Sequence, residues 1–243
     1  AFLAAYLLLT MLISMILAFN AKRLWLKAVY AAAIGLNLLF VYFTATRGAM
    51  LALVIGIISF SLFYVFGKAE TGQDRLLRKI SAAVLVGVAL LSILFFVFRD
   101  SSLIKQNPTF SRISTISTSD TTTQLRLITW SMAWEGIKER PVLGWGQENF
   151  PHIYTKYFDP RLYGLETWID HAHNVVLDWL VNAGSLGLLF YLSLFGAVFY
   201  SLRTACVTRV ISRTLAVTSI SGFIVYFFQN LFGFDSITTN IIF

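Results

Sequence analysis

The chain has 243 residues, of which 57% are hydrophobic and only 13% charged, with a mean hydropathy of +0.73. A soluble domain carries about 25% charged residues, so a water-exposed globular fold is excluded. The formal net charge is +7, and the single cysteine, Cys206, leaves no internal disulfide and no cysteine metal site.

Apolar runs of about 18 to 20 residues recur along the chain, each long enough to cross a bilayer as a helix. Spans are expected near Phe2–Phe19, Ala28–Thr44, Ala49–Phe66, Ile80–Phe98, Ser185–Leu202 and Leu215–Phe232. The runs are apolar all round, whereas strands of a barrel would alternate. Backbone groups have no aqueous partner inside the bilayer, so the expected fold is an all-α polytopic helical membrane protein. The first run lacks a positive leader and a small-residue cleavage site, so it does not read as a signal peptide. The ending Ile241-Ile242-Phe243 reads as the start of a further span, so the chain is expected to be a fragment of a larger multispanning protein.

Lys22, Arg23 and Lys27, then Lys68, Arg75, Arg78 and Lys79, then Arg203, Arg209 and Arg213 fall in short loops on one side. That side is expected to be cytoplasmic. The basic balance therefore reflects topology and anionic lipid headgroups, not nucleic-acid binding. The long segment Arg99–Asp170 then faces outward, with eight Lys/Arg against eight Asp/Glu.

Arg47 lies in the tight turn Thr44-Ala45-Thr46-Arg47-Gly48-Ala49 between two spans. It is either a snorkelling end-anchor or an anion ligand. In the long segment, Ser111–Thr123 reads as irregular. Thr121 to Gln124 forms a candidate capping box for a helix from about Gln124 to Glu139, which stops before Pro141. Leu127, Trp130, Trp134 and Ile137 share one face at helical spacing, with Glu135 and Glu139 opposite. Arg126 falls on the edge of that stripe, where its stem can pack and its guanidinium can meet an anion. Gly144-Trp145-Gly146 reads as a turn. The aromatic residues beyond it suit a headgroup layer or sugar stacking.

Ile169-Asp170-His171-Ala172-His173-Asn174-Val175-Val176-Leu177 closes the polar segment and opens an apolar helix. Two imidazoles thus sit where water meets membrane, an address suited to a lipid-linked substrate with its head at the interface. Three readings stay open for these residues. His171 and His173 would bind metal only with a further ligand set that the sequence does not offer at clear spacing. Asn174 or Asp170 would cap the next helix. A His at a helix N-terminus tends to stay neutral, as a general base must. Asp178 is one turn into that helix and is a candidate to orient His173, although the i to i+5 spacing is poor. Asp235 is expected just outside a span.

Three pieces stand in order: Thr46-Arg47-Gly48-Ala49 at the head of a span; Arg126 with Trp130, Ile137, Pro141-Val142-Leu143-Gly144-Trp145-Gly146 and Phe150; and His171-Ala172-His173-Asn174 with Leu177, Gly184 and Leu186-Gly187. Their order and spacing resemble the bacterial O-antigen ligase and O-antigen polymerase family, over roughly Thr44 to Leu192. The resemblance implies a periplasmic loop of 99–173 within a core of 47–192, flanked by spans in 1–46 and 193–243. It implies a glycosyltransferase of the bacterial inner membrane that moves a glycan from undecaprenyl diphosphate to lipid A–core or another lipid-linked repeat. No metal or other cofactor is implied. Arg47 and Arg126 match the diphosphate-holding arginines and His173 the essential histidine. His171, Asn174, Arg112 and Asp178 are candidate supporting residues. Asn182 stands where many members have Glu, and Thr46 where Ser is common. A protein O-oligosaccharyltransferase and a flippase for lipid-linked glycans are the alternatives. A flippase would place ionisable residues or broken helices at the midplane. The span centres here are nearly free of charge.

Overall fold

The computed structural model describes residues 2–114, 121–163 and 169–232. Ten α-helices follow in order: α1 Phe2–Asn20, α2 Leu24–Thr44, α3 Arg47–Phe66, α4 Gly72–Phe98, α5 Ser102–Gln106, α6 Pro108–Ser114, α7 Thr121–Glu139, α8 Phe150–Lys156, α9 Val175–Val207 and α10 Arg213–Asn230. A 3-10 turn, Pro160–Leu162, lies between α8 and α9. No strand occurs among the described residues.

Five helices are long and apolar enough to cross a membrane: α1, α2, α3, α4 and α9. The protein is therefore an all-α multi-pass membrane protein. The sixth expected span is also a helix, α10, but it carries Thr218, Ser219, Ser221, Gln229 and Asn230 on buried positions. These polar side chains keep α10 less apolar than the other five. Expected irregular structure over Ser111–Thr123 is corrected in part, because α6 runs to Ser114 and α7 begins at Thr121. Thr121 is thus the first helical residue and cannot cap Gln124 from outside the helix, so the expected capping box is also corrected. Asp235 and Ile241–Phe243 lie outside the described residues.

The chain divides into two compact units. One is built on Ala1–Thr115 and Ser201–Gln229, the other on Ile116–Tyr200 with residues 230–232. In the first, α1 packs on α2 and α3, and α3 on α4. Ala4, Ala49 and Ala52 are fully buried there, and such small residues let helix backbones approach closely in lipid. Thr10 of α1 donates to Asn37 Oδ1 of α2 at 3.3 Å. Outward, α4 turns Leu91, Phe96 and Val97 to the surroundings, as a lipid-facing helix must.

The α2–α3 turn is only two residues long. Ala45 adopts a left-handed φ of 47° and its N–H donates to Tyr42 O at 3.1 Å. Thr46 is extended, so Arg47 becomes the first residue of α3. Asn107 Nδ2 donates to Tyr42 Oη at 2.8 Å and Thr109 Oγ1 to Tyr42 O at 3.2 Å, fixing the turn from α5–α6. Arg213, the first residue of α10, is structural. It donates to the Phe63 carbonyl at 3.0 Å, lies over the Tyr64 ring and comes within 3.7 Å of Asp74.

The second unit is held by one mainly apolar cluster. Ile128, Met132, Ala133 and Ile137 of α7 pack with Phe150, Ile153 and Tyr154 of α8 and with Leu162, Ile169, Ala172 and Val181. Fully burying each large side chain contributes about 1.5–3 kcal/mol before entropy is counted. The expected stripe is therefore rotated. Leu127 is 47% and Trp134 54% exposed, while Ala133 and Gly136 are buried. A Cβ on Gly136 would meet Ile153, so the small residues mark the closest approach of α8. Periodicity scores large apolar side chains and is blind to such gaps. At the end of α7, Lys156 donates to Glu139 at 2.6 Å and the Tyr157 hydroxyl also donates to it. These two bonds hold the Glu139 carboxyl below the usual glutamate range. The link is present at neutral pH and is lost as pH falls through that lowered value. Lys156→Ala is expected to move the Glu139 titration upward, as read by side-chain NMR.

Candidate functional site

The site begins with a break in α9. Gly184 has φ 64° and ψ −164°, so the helix is two segments meeting at a kink. Only glycine adopts this backbone region without strain. The break frees backbone groups, and Pro141–Gly146 takes them up. Ser185 N–H donates to Pro141 O at 2.8 Å and Leu186 N–H to Val142 O at 3.3 Å. In return Trp145 N–H donates to Val181 O at 2.7 Å and Gly146 N–H to Asn182 O at 2.9 Å. Gly144, at φ 70°, lies against this backbone, where a Cβ would come within 2.6 Å of Val181 O. Pairing of this kind lets a broken helix persist away from water.

The first segment of α9 opens at the turn Asp170–Asn174, which is clamped on both sides of His173. Ala172 is fully buried before it. Trp130 Nε1–H donates to Ala172 O at 2.9 Å, and Ala172 N–H donates to Asp178 Oδ1 at 2.7 Å. After it, Asn174 Oδ1 accepts from Val176 N–H at 3.0 Å and from Leu177 N–H at 3.3 Å. Of the two caps the sequence offers, Asn174 and Asp170, it is Asn174 that caps the helix. Between the clamps His173 is held at φ 54°, a left-handed conformation uncommon for a residue with a Cβ.

Asp178 is buried, and its Oδ1 lies 3.9 Å from His171 Nδ1. Asp178 supports the turn through Ala172 and His171, because one helical turn carries its carboxylate back to the residues before the N-cap. Its Oδ2 is buried without a hydrogen-bond partner among the described residues. Asp178→Ala leaves the Ala172 N–H buried and unpaired and is expected to cost about 1–3 kcal/mol. Asp178→Asn keeps an acceptor oxygen and is expected to recover most of it; thermal unfolding of the two variants checks this.

Arg126 is on α7, one turn before Trp130, and residues four apart on a helix have Cβ atoms about 5–6 Å apart. Its Nη2–H donates to Phe232 O at 2.8 Å, with the guanidinium 5.9 Å from the Phe232 ring centroid. The second unit therefore brings Arg126, His171, His173, Asn174 and Asp178 to one turn and the helix beside it. Arg47 begins α3 in the first unit. Arg112 is in α6, and its side chain lies outside the described residues. Among the described residues no three His, Cys, Asp or Glu side chains gather as a metal site.

A family model described as O-antigen ligase matches residues 32–192 of the 243. The chain belongs to the O-antigen ligase family. A comparison with curated proteins finds no match. Membership makes the protein an O-antigen ligase- or polymerase-type membrane glycosyltransferase, a class whose substrates are lipid-linked glycans and lipid A–core. The matched stretch contains the α2–α3 turn, the Pro141–Gly146 segment, the clamped turn and the kink at Gly184.

Two residues of this ligase-family site carry more than their sequence signal. Trp130 reads in sequence as part of an apolar stripe, yet its indole N–H fixes the Ala172 carbonyl. A Trp beside Arg126 at helical spacing is the only hint. Gly184 belongs to the motif that carries the family resemblance, yet nothing in its apolar run marks that it breaks the helix.

Proposed function

We propose that this protein transfers a glycan from undecaprenyl diphosphate to an acceptor hydroxyl at the periplasmic face of the bacterial inner membrane. The acceptor is lipid A–core or another lipid-linked repeat. Sugar C1 arrives activated by diphosphate. As the acceptor oxygen attacks C1, the C1–O bond to phosphate breaks and undecaprenyl diphosphate leaves with the bonding pair. His173 takes the acceptor proton on its imidazole. Arg126 and Arg47 hold the diphosphate, and guanidinium forks match phosphate oxygens bidentately. Their hold strengthens as charge gathers on the leaving group, and a contact that tightens in the transition state lowers the barrier. Arg126 would exchange its bond to the Phe232 carbonyl for a phosphate oxygen.

The observation that supports this reading best is the double clamp around His173. A histidine kept at positive φ between two hydrogen-bonded neighbours is a strained residue over-determined by its surroundings, as functional residues often are. A single displacement inverts the anomeric configuration. In vitro transfer from a defined undecaprenyl-diphosphate glycan tests this, and a product with retained configuration overturns it.

A carrier of lipid-linked glycans is the second reading, favoured by the broken helix α9, because carriers place such breaks at their binding sites. The amides freed at Gly184 are already bonded to Pro141 and Val142. That occupancy weighs toward a structural break and a transferase.

A further inference from the structure

At the end of α7 away from Trp130 a polar recess opens. It is an open depression of about 540 Å³ lined by Glu139, Arg140, Trp145, Asn149, His152 and Lys156. Trp145 is its floor and is fixed twice: its Nε1–H donates to Gly136 O at 2.8 Å and its backbone N–H to Val181 O at 2.7 Å. The Arg140 guanidinium stacks on this indole at 4.3 Å from the ring centroid, and Lys156 Nζ lies 5.6 Å from the same ring. Glu139 is occupied by Lys156 and by the Tyr157 hydroxyl. Among the described residues the Arg140 guanidinium makes no hydrogen bond and no ion pair. Asn149 Nδ2 donates to Trp145 O at 2.8 Å, which leaves its Oδ1 as an acceptor.

A guanidinium stacked on a fixed indole has its plane set by the ring, and its fork is planar before any ligand arrives. Its planar fork matches two oxygens of a carboxylate or phosphate. Arg140 and Lys156 against Glu139 give the recess a formal charge of +1. An amide oxygen and an imidazole beside the fork suit hydroxyl groups. We propose that this recess binds an acidic saccharide: Arg140 takes a sugar carboxylate or phosphate, and Asn149 and His152 take neighbouring hydroxyls. The proposal rests on the reading of the protein as one that handles glycans. Arg140 lies just past the end of α7, whose last residue is nine helical steps beyond Trp130, about 14 Å at 1.5 Å per residue. The recess therefore holds a sugar removed from the reacting bond.

The test is binding by the whole chain in nanodiscs, without donor lipid or acceptor. The probes are tetragalacturonate, a phosphorylated maltotetraose and neutral maltotetraose, followed by calorimetry. At least one acidic probe is expected to bind about tenfold tighter than the neutral one, the size of one hydrogen bond to a charged group. Whichever acidic probe is tighter names the oxyanion. Arg140→Gln, at an exposed position, is expected to erase the difference, and Arg140→Lys to fall between, keeping charge without the fork. Equal binding of acidic and neutral probes by the wild-type protein overturns the proposal. So does Arg140→Gln binding like wild type, or displacement of the sugar by phosphatidylglycerol at equal concentration. Because no transfer is measured, failure of the transferase reading would appear elsewhere, as activity that survives loss of His173.

Discussion

Replacing His173 with alanine is expected to lower glycan transfer by about 10²–10⁴-fold, the usual contribution of a general base. The backbone complicates a simple reading of that loss. His173 sits at φ 54°, and alanine is no better suited to that region than histidine. His173→Asn separates the two effects, because asparagine favours the left-handed region yet cannot serve as a base near neutral pH. Both variants are expected to fold, since the clamps act through Ala172 and Asn174. Transfer is expected to collapse equally in both. Single-turnover assays with undecaprenyl-diphosphate glycan, run beside thermal unfolding in detergent, provide the check. Near-normal transfer by His173→Asn would assign the histidine a structural role and send the search for the base elsewhere.

Gly184→Ala is expected to be among the most destabilising single substitutions in the chain. The backbone region at φ 64° and ψ −164° is glycine's alone, and forcing a side chain into it costs about 1–3 kcal/mol. The added Cβ would also collide with the Val142 carbonyl, so the segment that repairs the break must move. That movement endangers the bonds from Ser185 and Leu186, which have no water to replace them if they lie within the bilayer. Gly35 and Gly196 are the controls, since a Cβ at either meets open space. Alanine there is expected to be neutral or to stabilise by up to about 1 kcal/mol through helix propensity. Melting temperature and yield from the membrane should separate Gly184→Ala from both controls; equal melting would mean that the kink does not hold the second unit together.

The two results would probe different things, because the sequence exposes the chemistry at His173 more plainly than the geometry at Gly184. A His-x-His-Asn run at the border of a polar segment and an apolar one is visible without a fold, since the border is a change in hydropathy. Arg47 and Arg126 stand out for a similar reason, as cations at or near the ends of apolar runs. Trp130 did not stand out as an anchor, because an indole on an apolar stripe carries no mark of where its N–H will point. Nor did the rotation of α7's buried face, which depends on Ala133 and Gly136 admitting Ile153.

By itself the sequence determined the membrane-spanning all-α class, five of the crossing helices, the position of the long polar segment and the order of the family's motifs. These follow from run length and charge, properties that a bilayer reads locally, residue by residue. Only the tertiary structure decided that Pro141–Gly146 repairs a break at Gly184, that Asp178 serves Ala172 and His171, and that Arg140 stacks on Trp145. Each of these joins a side chain or carbonyl to a partner on another segment or across a helix end. Such pairings depend on backbone geometry and close packing, which no one-dimensional pattern records.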